Sequence, residues 1–306
     1  NVLNCYRKIM IKLITIFTPT YNRAKFLPRL YESLKRQTRK DFVWLVVDDG
    51  STDYTRDLIN GWKEEDLIDI RYIFKKNGGK MRAHNVGVKV CETELFMCLD
   101  SDDYLTDDAL ESLIKWFSEL SESTNFIGVS GVKQDINSNK NKIKIPINSY
   151  IDDSNINRTK YGLETDMAEA FFTEKLRQYS FPVWPNEKFI PESVVWDQMA
   201  LDGYILRWYN KVIYYCEYLE GGLTQSSWNL LKNNPMGYAQ MFLKKLAYTD
   251  KSKLRINYML QFISCCCLAH EYRYILKCQD KKVFFLIPIG FMLSIRRRLQ
   301  FKSYLR

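Results

Sequence analysis

The sequence predicts an α/β fold in which a mixed sheet is flanked by helices and followed by a basic helical extension at the C-terminus. Short β-rich apolar runs alternate with helical segments from Met10 to about Cys98, which is typical of parallel strands covered by helices. Each of the first four runs ends in a polar cluster, and the excess positive charge lies in the tail. With 306 residues, 46% of them hydrophobic, the chain can bury a sizeable core, which excludes a disordered or fibrous protein.

The first third of the chain contains four predicted strands and three predicted helices. The strands are Leu13–Phe17, Phe42–Val47, Ile68–Phe74 and Leu95–Leu99. Helical spacing of apolar residues predicts the helices Lys25–Arg36, Thr52–Trp62 and Met81–Cys91.

The second third is less regular. Thr106 is the predicted N-cap of a helix that ends near Leu120, and residues 134–160 are predicted to form a loop or a ragged hairpin. The remaining predicted elements are the strands Phe126–Val132, Tyr204–Trp208 and Val212–Tyr218, and the helices Thr165–Leu176 and Ser193–Leu201.

The formal charge of +9 divides unevenly along the chain. Residues 1–243 carry a net charge of −2 and residues 244–306 carry +11. Because the folded part is slightly acidic, we expect no nucleic-acid partner. The tail contains predicted helices Tyr238–Tyr248 and Ile256–His270, then a thirteen-residue apolar segment, Val283–Ile295, with basic residues on both sides.

That apolar segment is too short to span a bilayer, since a transmembrane helix needs about 20 residues, and Pro288 interrupts it. Basic residues around a short apolar stretch favour a segment that lies in the interface of an anionic membrane surface. The alternative is a terminal helix packed on the domain with a solvated basic face.

Four polar clusters follow the first four predicted strands or precede the next helix. They are Thr18–Arg23, Asp48–Ser51, Asn77–Lys80 and Asp100–Asp103. Ligands of open α/β sheets bind beyond the carboxyl ends of the strands, so these clusters predict one crevice.

Each cluster allows a binding interpretation and a structural one. Asp100 and Asp102 present two carboxylates that suit Mg²⁺ or Mn²⁺, or they cap the next helix. Asp48 and Asp49 form a tight turn or accept hydrogen bonds from a nucleoside. Residues 77–80 precede a helix, where amide groups and Lys80 favour an anion.

Four motifs in this order resemble the nucleotide-sugar half of family 2 glycosyltransferases with the GT-A fold. They are Phe17–Arg23, Val46–Asp53, Asn77–Lys80 with Ala83 and Asn85, and Leu99–Asp103. The resemblance covers roughly residues 10–225 and implies a GT-A type nucleotide-binding sheet. It also implies a nucleoside-diphosphate-sugar donor, commonly UDP-linked, and an inverting single displacement with Mn²⁺ or Mg²⁺ as cofactor.

The resemblance also implies roles for individual residues. Thr20, Tyr21 and Asp49 would hold the nucleoside, and Lys80 and Arg82 would lie toward the diphosphate. Asp100 would contact the ribose or the metal, and Asp102 would ligate the metal. The donor-binding set is Pro19, Thr20, Tyr21, Asn22, Asp49, Lys80, Arg82, Asp100 and Ser101.

No family motif assigns the general base, because the Glu-Asp pair that the family often carries before a helix is replaced. The chain has Phe189–Asp197 in that region, with Pro-Glu-Ser at the start of a predicted helix. Glu192 is therefore the candidate base and Asp197 the reserve. The alternative is that Glu192 only occupies the first helical turn, where a carboxylate is favourable.

We expect three segments: residues 1–9 as a non-native or upstream extension, 10–235 as the glycosyltransferase domain and 236–306 as the basic helical, membrane-associating extension. Within the domain, 10–105 is the nucleotide-sugar half and 106–235 the acceptor half. The expected function is transfer of one sugar to a lipid-linked or saccharide acceptor in bacterial surface polysaccharide synthesis, at the cytoplasmic face of the membrane. The alternatives are a non-catalytic nucleotide- or lipid-binding relative and a sugar nucleotidyltransferase.

Overall fold

Buried strands at the centre of a mixed sheet organise the N-terminal part of the molecule. The computed structural model describes residues 12–120, 125–138, 143–163, 166–217 and 227–303. The strands β1 (Ile14–Thr20) and β2 (Phe42–Asp48) are buried along their whole length and pair in parallel. Their near-continuous apolar sequences suit a sheet that is covered on both faces.

Across the described residues, nine strands form one sheet. The remaining strands are β3 (Asp69–Phe74), β4 (Leu95–Cys98), β5 (Tyr104–Leu105), β6 (Phe126–Asp135), β7 (Tyr150–Asp153), β8 (Met167–Phe172) and β9 (Ile205–Cys216). The strand order is β3-β2-β1-β4-β8-β6-β9-β5, and β7 pairs with β9. The first four strands are mutually parallel, whereas β8 runs antiparallel to both of its neighbours.

Helices accompany the sheet in the same compact unit, which comprises the described residues within 12–180 and 203–217. They are α1 (Leu27–Lys35), α2 (Thr55–Glu65), α3 (Lys80–Val90), α4 (Ala109–Ser118) and the short α5 (Thr173–Leu176). Aromatic stacking connects two of them: the rings of Tyr31 in α1 and Trp62 in α2 lie 4.3 Å apart, and both neighbour Trp44 of β2. These rings fix the helices on the buried face of the sheet.

A second compact unit is helical and combines, among the described residues, 181–202 with 227–303. Its helices are α6 (Ser193–Leu201), α7 (Ser227–Asn233), α8 (Pro235–Tyr248), α9 (Ser252–Leu268) and α10 (Val283–Ser303). Its core includes Phe262 and the buried Cys265 and Cys266 of α9. At Gly290 of α10, an added Cβ would lie 2.5 Å from Ile263, so glycine permits the close approach of α9 and α10.

The first four predicted strands and first three predicted helices are confirmed, with ends shifted by a few residues. The helix predicted over Thr165–Leu176 is wrong, because Met167–Phe172 is β8 and only Thr173–Leu176 is helical. Pairing with β4 on one side and β6 on the other overrides the helical spacing of this segment. The two strands predicted in residues 204–218 form one continuous strand, β9, whereas Tyr218 lies outside the described residues.

The compact units do not coincide with the segment boundary predicted at residue 235, since residues 181–202 pack with the C-terminal helices. The functional division of the chain stays a prediction. Helix α10 continues beyond the apolar segment to Ser303 and contains Pro288 within it. Among the residues described, none of the helices combines the length and apolar character needed to cross a bilayer.

Candidate active site

The carboxyl ends of the parallel strands bring the polar clusters to one edge of the sheet. Thr20 and Asp48, the last residues of β1 and β2, are paired in register, and the Asp49 amide donates to the Thr20 carbonyl at 2.8 Å. The Leu99 amide, just after β4, donates to the Phe17 carbonyl of β1 at 2.8 Å. Three clusters therefore start side by side.

Asp49 joins the fourth cluster to this edge. Its buried carboxylate accepts hydrogen bonds from the amides of Gly78, at 2.9 Å, and Gly79, at 2.6 Å, and it contacts the Lys75 ammonium. The Asn77 side-chain amide donates to the Asp49 carbonyl at 2.8 Å. In this structure Asp49 thus holds the loop before Lys80, and its predicted contact with the nucleoside stays a prediction.

Gly50 is required where these two loops meet. Its φ of 88° lies in the left-handed region, and an added Cβ would lie 2.9 Å from the Asn77 nitrogen. A side chain at this position would separate Asp49 from the loop that it holds.

The loop after β1 is tied to the loop after β2. Asn22, with a φ of 53°, donates its amide to the Ser51 hydroxyl at 2.9 Å and accepts from the Thr52 amide at 2.8 Å. The neighbouring Tyr21 is 48% exposed, so its ring is accessible for stacking. The loop geometry therefore presents Tyr21 at the sheet edge.

Thr20 carries a polar atom that none of the described residues satisfies. Its side chain is buried, and its hydroxyl oxygen has no hydrogen-bond partner in the part of the chain that the structure describes. An unsatisfied buried hydroxyl costs free energy, so such atoms call for an explanation. A ligand that hydrogen-bonds to Thr20 at the strand end would supply one.

Asp100 lies between two lysines. Its Oδ1 is 2.7 Å from Nζ of Lys80, and its Oδ2 is 3.6 Å from Nζ of Lys133. Lys133, in β6, also lies 2.9 Å from Oδ2 of Asp103, and that oxygen accepts a hydrogen bond from the Tyr214 hydroxyl at 2.8 Å. The Tyr214 hydroxyl in turn accepts from the Asp100 amide at 3.0 Å, which closes the network.

Burial and charge act in opposite directions on the two carboxylates of this network. Burial opposes ionisation of Asp100, but Lys80 and Lys133 hold its pKa well below the usual range. Burial raises the pKa of Asp103 to about 6; Lys133 lowers it and the nearby Asp100 raises it further. Asp100 is consequently the stronger acid of the pair, and Asp103 is the carboxylate that takes up a proton first as the pH falls.

Asp102 is as exposed as Asp100, with 26% and 28% of the two side chains accessible, but it has different partners. Its carboxylate is partly exposed and lies 3.8 Å from the Arg23 guanidinium, while its carbonyl accepts from Arg29 at 2.6 Å. Ser101, between the two aspartates, is buried. The oxygen of Asp102 suits a hard divalent cation, whereas both oxygens of Asp100 face ammonium groups.

Within the described residues, no group of three or more His, Cys, Asp and Glu side chains is arranged to hold a metal ion. A cation at Asp102 would therefore complete its shell with water and ligand oxygens, as Mg²⁺ usually does. Arg82, predicted to lie toward the diphosphate, donates to the Gly78 carbonyl at 2.6 Å and so supports the same loop.

The two candidate bases belong to the helical unit. Glu192 is the N-cap residue of α6, where its carbonyl accepts from the amides of Val195 and Trp196. Asp197 is buried and accepts a hydrogen bond from the Tyr248 hydroxyl at 2.9 Å, which ties α6 to α8. This contact favours a structural role for Asp197 over a catalytic one, and both assignments stay predictions.

Sequence reasoning missed Lys133, Tyr214 and Arg29. Lys133 follows an apolar run, which marks it as a charge at the end of a strand. Nothing local in the sequence indicates which carboxylate it contacts, because its partners lie about 30 residues earlier. Arg29 carries no motif signal, although it connects the Asp102 carbonyl with Glu217.

Residues 15–179 match the family model described as glycosyl transferase family 2. The chain belongs to this family. An uncharacterized glycosyltransferase of Rickettsia felis is 37% identical over 114 residues, which make up 37% of this chain and 18% of the relative. The putative teichuronic acid biosynthesis glycosyltransferase TuaG of Bacillus subtilis is 24% identical over 230 residues, covering 75% of this chain and 88% of the relative.

Solved structures agree on the architecture. The structure of S. aureus TarS 1–349 in complex with UDP-GlcNAc has a TM-score of 0.62 and 18% identity, covering 93% of this chain and 89% of that one. A mannosyltransferase from Pyrobaculum calidifontis, in complex with GDP-Man and Mn²⁺, has a TM-score of 0.56 and 17% identity, with coverages of 94% and 82%. The predicted family and the GT-A type α/β fold are confirmed.

Replacing Thr20 by Val tests whether its hydroxyl serves a ligand. Valine has the same shape, so we expect the free energy of unfolding to be unchanged or higher, because an unsatisfied buried hydroxyl is removed. Binding of UDP, used as the probe, should weaken roughly three- to tenfold, as expected for one hydrogen bond. Chemical denaturation and calorimetric titration measure the two quantities.

Thr15→Val, in the same strand as Thr20, is the matched control, since the Thr15 hydroxyl is already hydrogen-bonded to the Thr93 hydroxyl at 2.7 Å. It should lower stability and leave UDP binding unchanged. If Thr20→Val binds UDP as the unmodified protein does, the Thr20 hydroxyl is not a ligand contact.

Proposed function

We propose that the chain transfers a single sugar from a nucleoside-diphosphate-sugar, UDP-linked, to a hydroxyl of a lipid-linked or saccharide acceptor, with inversion at the anomeric carbon. The observation that carries the proposal is the meeting of Thr20, Asp49 and Asp100 with Lys80 at the carboxyl edge of parallel strands. Family membership supports the reaction class. TarS bound to UDP-GlcNAc supports a UDP-sugar, and the name of TuaG supports surface polysaccharide synthesis.

The donor would bind along the sheet edge in an order that the residue chemistry supports. Tyr21 would stack on the base, while Pro19, Thr20 and Asn22 would form the wall around the nucleoside. Lys80 and Arg82 lie at and after the N-terminal end of α3, where positive charge and amide groups favour an anion. The buried Ser101 and the partly exposed Asp100 would line the ribose side.

A divalent cation, Mn²⁺ or Mg²⁺, would be held by Asp102, with Asp100 as the second carboxylate. The cation supplies charge that offsets the negative charge on the departing diphosphate. The partly exposed oxygen of Asp102 fits this role, and the Mn²⁺ complex of the similar mannosyltransferase supports it. Asp100 would become available when Lys80 turns from it to the diphosphate.

Inversion requires one general base on the acceptor side. The carboxylate of Glu192 would accept the proton of the acceptor hydroxyl while the acceptor oxygen bonds to the anomeric carbon. The bond from that carbon to the diphosphate breaks, and its electron pair leaves with the diphosphate. The position of Glu192 supports this role, because it is the N-cap residue directly before α6.

The acceptor would lie at an anionic membrane surface on the cytoplasmic side. This part of the proposal rests on the +11 net charge of residues 244–306, which contrasts with −2 for the rest of the chain. Attraction of such a tail to anionic lipids brings the enzyme to lipid-linked substrates.

Asp102→Asn tests the transfer reaction and its metal ligand together. With Mn²⁺ and a panel of UDP-sugars, we expect the unmodified protein to release UDP and Asp102→Asn to lose most of that activity, because a neutral amide binds the cation weakly. Asp69→Asn is the control: Asp69 is exposed at the opposite, amino end of β3 and should leave the rate unchanged. UDP release that depends on neither the added donor nor an added acceptor would overturn the proposal. Tight UDP binding without release of UDP from any donor would overturn it as well.

Glu192→Gln separates donor binding from chemistry. The amide keeps the shape but cannot take the proton, so transfer should fall by a factor on the order of 10²–10⁴ while UDP affinity is kept. Glu271→Gln alters an exposed glutamate of the same helical unit and should have no effect. Product formation by Glu192→Gln at the unmodified rate would exclude Glu192 as the base.

A further inference from the structure

We propose that the exposed face of α10 is the surface by which this protein docks on an anionic bilayer, with the helix lying in the membrane plane. The inference rests on the proposed membrane acceptor and names the surface that serves it. Its test uses lipid binding alone, so it can fail independently of the transfer reaction.

The apolar face of α10 is exposed along the whole helix. Phe285, Met292 and Leu299, spaced seven residues apart, are 85%, 60% and 63% exposed and lie along one side. The same face includes Phe284, Ile289, Phe291 and Ile295. Large apolar side chains gathered in this way mark an interaction surface.

The opposite side of α10 is already used. Val283, Ser294 and Phe301 are buried in the helical unit, and Gly290 packs closely on Ile263 of α9. The exposed residues are therefore a second face, distinct from the one that holds the helix in place.

Charge identifies the partner. Residues 281–303 contain no Asp or Glu, while Lys281, Lys282, Arg296 and Arg298 are exposed at the two ends of the apolar face. Two copies of this face would bring like charges together, which disfavours a homodimer. An anionic lipid surface suits both the basic residues and the apolar face, because the cations contact the headgroups while the apolar side chains enter the interface.

The helix would lie on the membrane and not cross it. In the part of the chain that the structure describes, no helix is long and apolar enough to span a bilayer. The exposed Tyr272 and Leu276, in the 3₁₀ helix Tyr272–Lys277 before α10, extend the same kind of surface. Burial of one face only is the behaviour of an interfacial helix.

Phe285→Ser/Met292→Ser, made in the full chain, tests the docking face. Both side chains are exposed, so the fold should be kept. With vesicles of phosphatidylcholine containing about a third phosphatidylglycerol, we expect the unmodified protein to co-sediment and the double variant to bind at least tenfold more weakly. Ile147→Ser is the matched control: Ile147 is 81% exposed in the sheet unit and should bind like the unmodified protein.

Equal vesicle binding by the double variant and the unmodified protein would overturn this inference, as would equal binding to vesicles of phosphatidylcholine alone. A concentration-dependent dimer that the double variant abolishes would assign the face to a second copy instead. UDP binding, measured on the same samples, reports separately on the proposed function.

A different observation, the buried network around Asp100, carries a second inference: we infer that Lys133 is a positioning residue that releases Lys80 to the diphosphate. Lys133 has a side chain only 11% exposed, between Asp103 and Asp100 and 4.7 Å from the Tyr214 ring centroid. It is held too deeply to follow a ligand. Lys80, on the other oxygen of Asp100, is at the helix start.

The two lysines have different tasks because only one of them needs to move. When Lys80 turns to the donor, the partly buried Asp100 would lose its nearest cation, and leaving such a charge unpaired is costly. Lys133 keeps Asp100 paired during that step. Without Lys133, Asp100 would hold Lys80 more tightly, and the diphosphate would bind more weakly. This inference rests on the proposed role of Lys80.

A double-mutant cycle on UDP binding tests this coupling. Lys133→Met and Lys80→Met should each weaken UDP binding at least fivefold, and the double variant should bind no more weakly than Lys80→Met alone. Calorimetric titration without metal measures the affinities, so the result does not depend on turnover. Lys133→Met/Asp103→Asn removes one positive and one negative charge. It replaces Lys133→Met in the cycle if Lys133→Met alone folds poorly.

Additive losses in the cycle would overturn the positioning role, because they would indicate two independent effects. UDP binding that is unchanged by Lys133→Met would overturn it as well. If the unmodified protein does not bind UDP, the proposed donor is wrong and the role of Lys133 falls with it.

Discussion

The hydrogen bonds from Gly78 and Gly79 to Asp49 are the constraint on which the arrangement of the site depends. They join the end of β2 to the loop that begins α3, and so fix where Lys80 leaves the backbone. Lys80 then reaches Asp100 at the end of β4, two strands away in the sheet. One buried carboxylate thereby connects elements that are distant in sequence. Glycine at position 50 belongs to the same constraint, since a side chain there would meet Asn77.

Asp49 and Asp100 in the sheet unit are bound by different kinds of group, and these groups differ in how freely they can leave the carboxylate. Asp49 is bound to backbone amides, which cannot leave, in addition to Lys75, whereas the carboxylate of Asp100 is bound to two lysine side chains. Backbone donors suit a permanent support, and side-chain ammonium groups suit a partner that must exchange. The distinction explains why two aspartates with similar sequence contexts, each at a strand end before a polar turn, have different surroundings.

Local pattern was sufficient for the parallel half of the fold and for its polar edge. Strands β1 and β2 are continuous apolar runs, and their ends are marked by Thr20 and Asp48. Met167–Phe172 shows where local pattern is insufficient, because its strand conformation depends on neighbours more than 30 residues away. Lys133 was missed for the same reason: its partners come from strand pairing that no single sequence reveals.

The number of basic residues in the tail does not by itself say which of them lie on the surface. Arg296, Arg297 and Arg298 are equal in the sequence, yet Arg297 is buried and donates to the Ser264 hydroxyl at 3.1 Å. Arg298 is exposed but donates to the Cys267 carbonyl of α9 at 2.9 Å. Arg296 is exposed and makes no such contact to α9 among the described residues. Packing of α10 on α9 therefore decides which cations are exposed without a contact to that helix. The same packing turns Phe285 and Met292 outward, so the apolar and basic parts of the surface have a single structural cause.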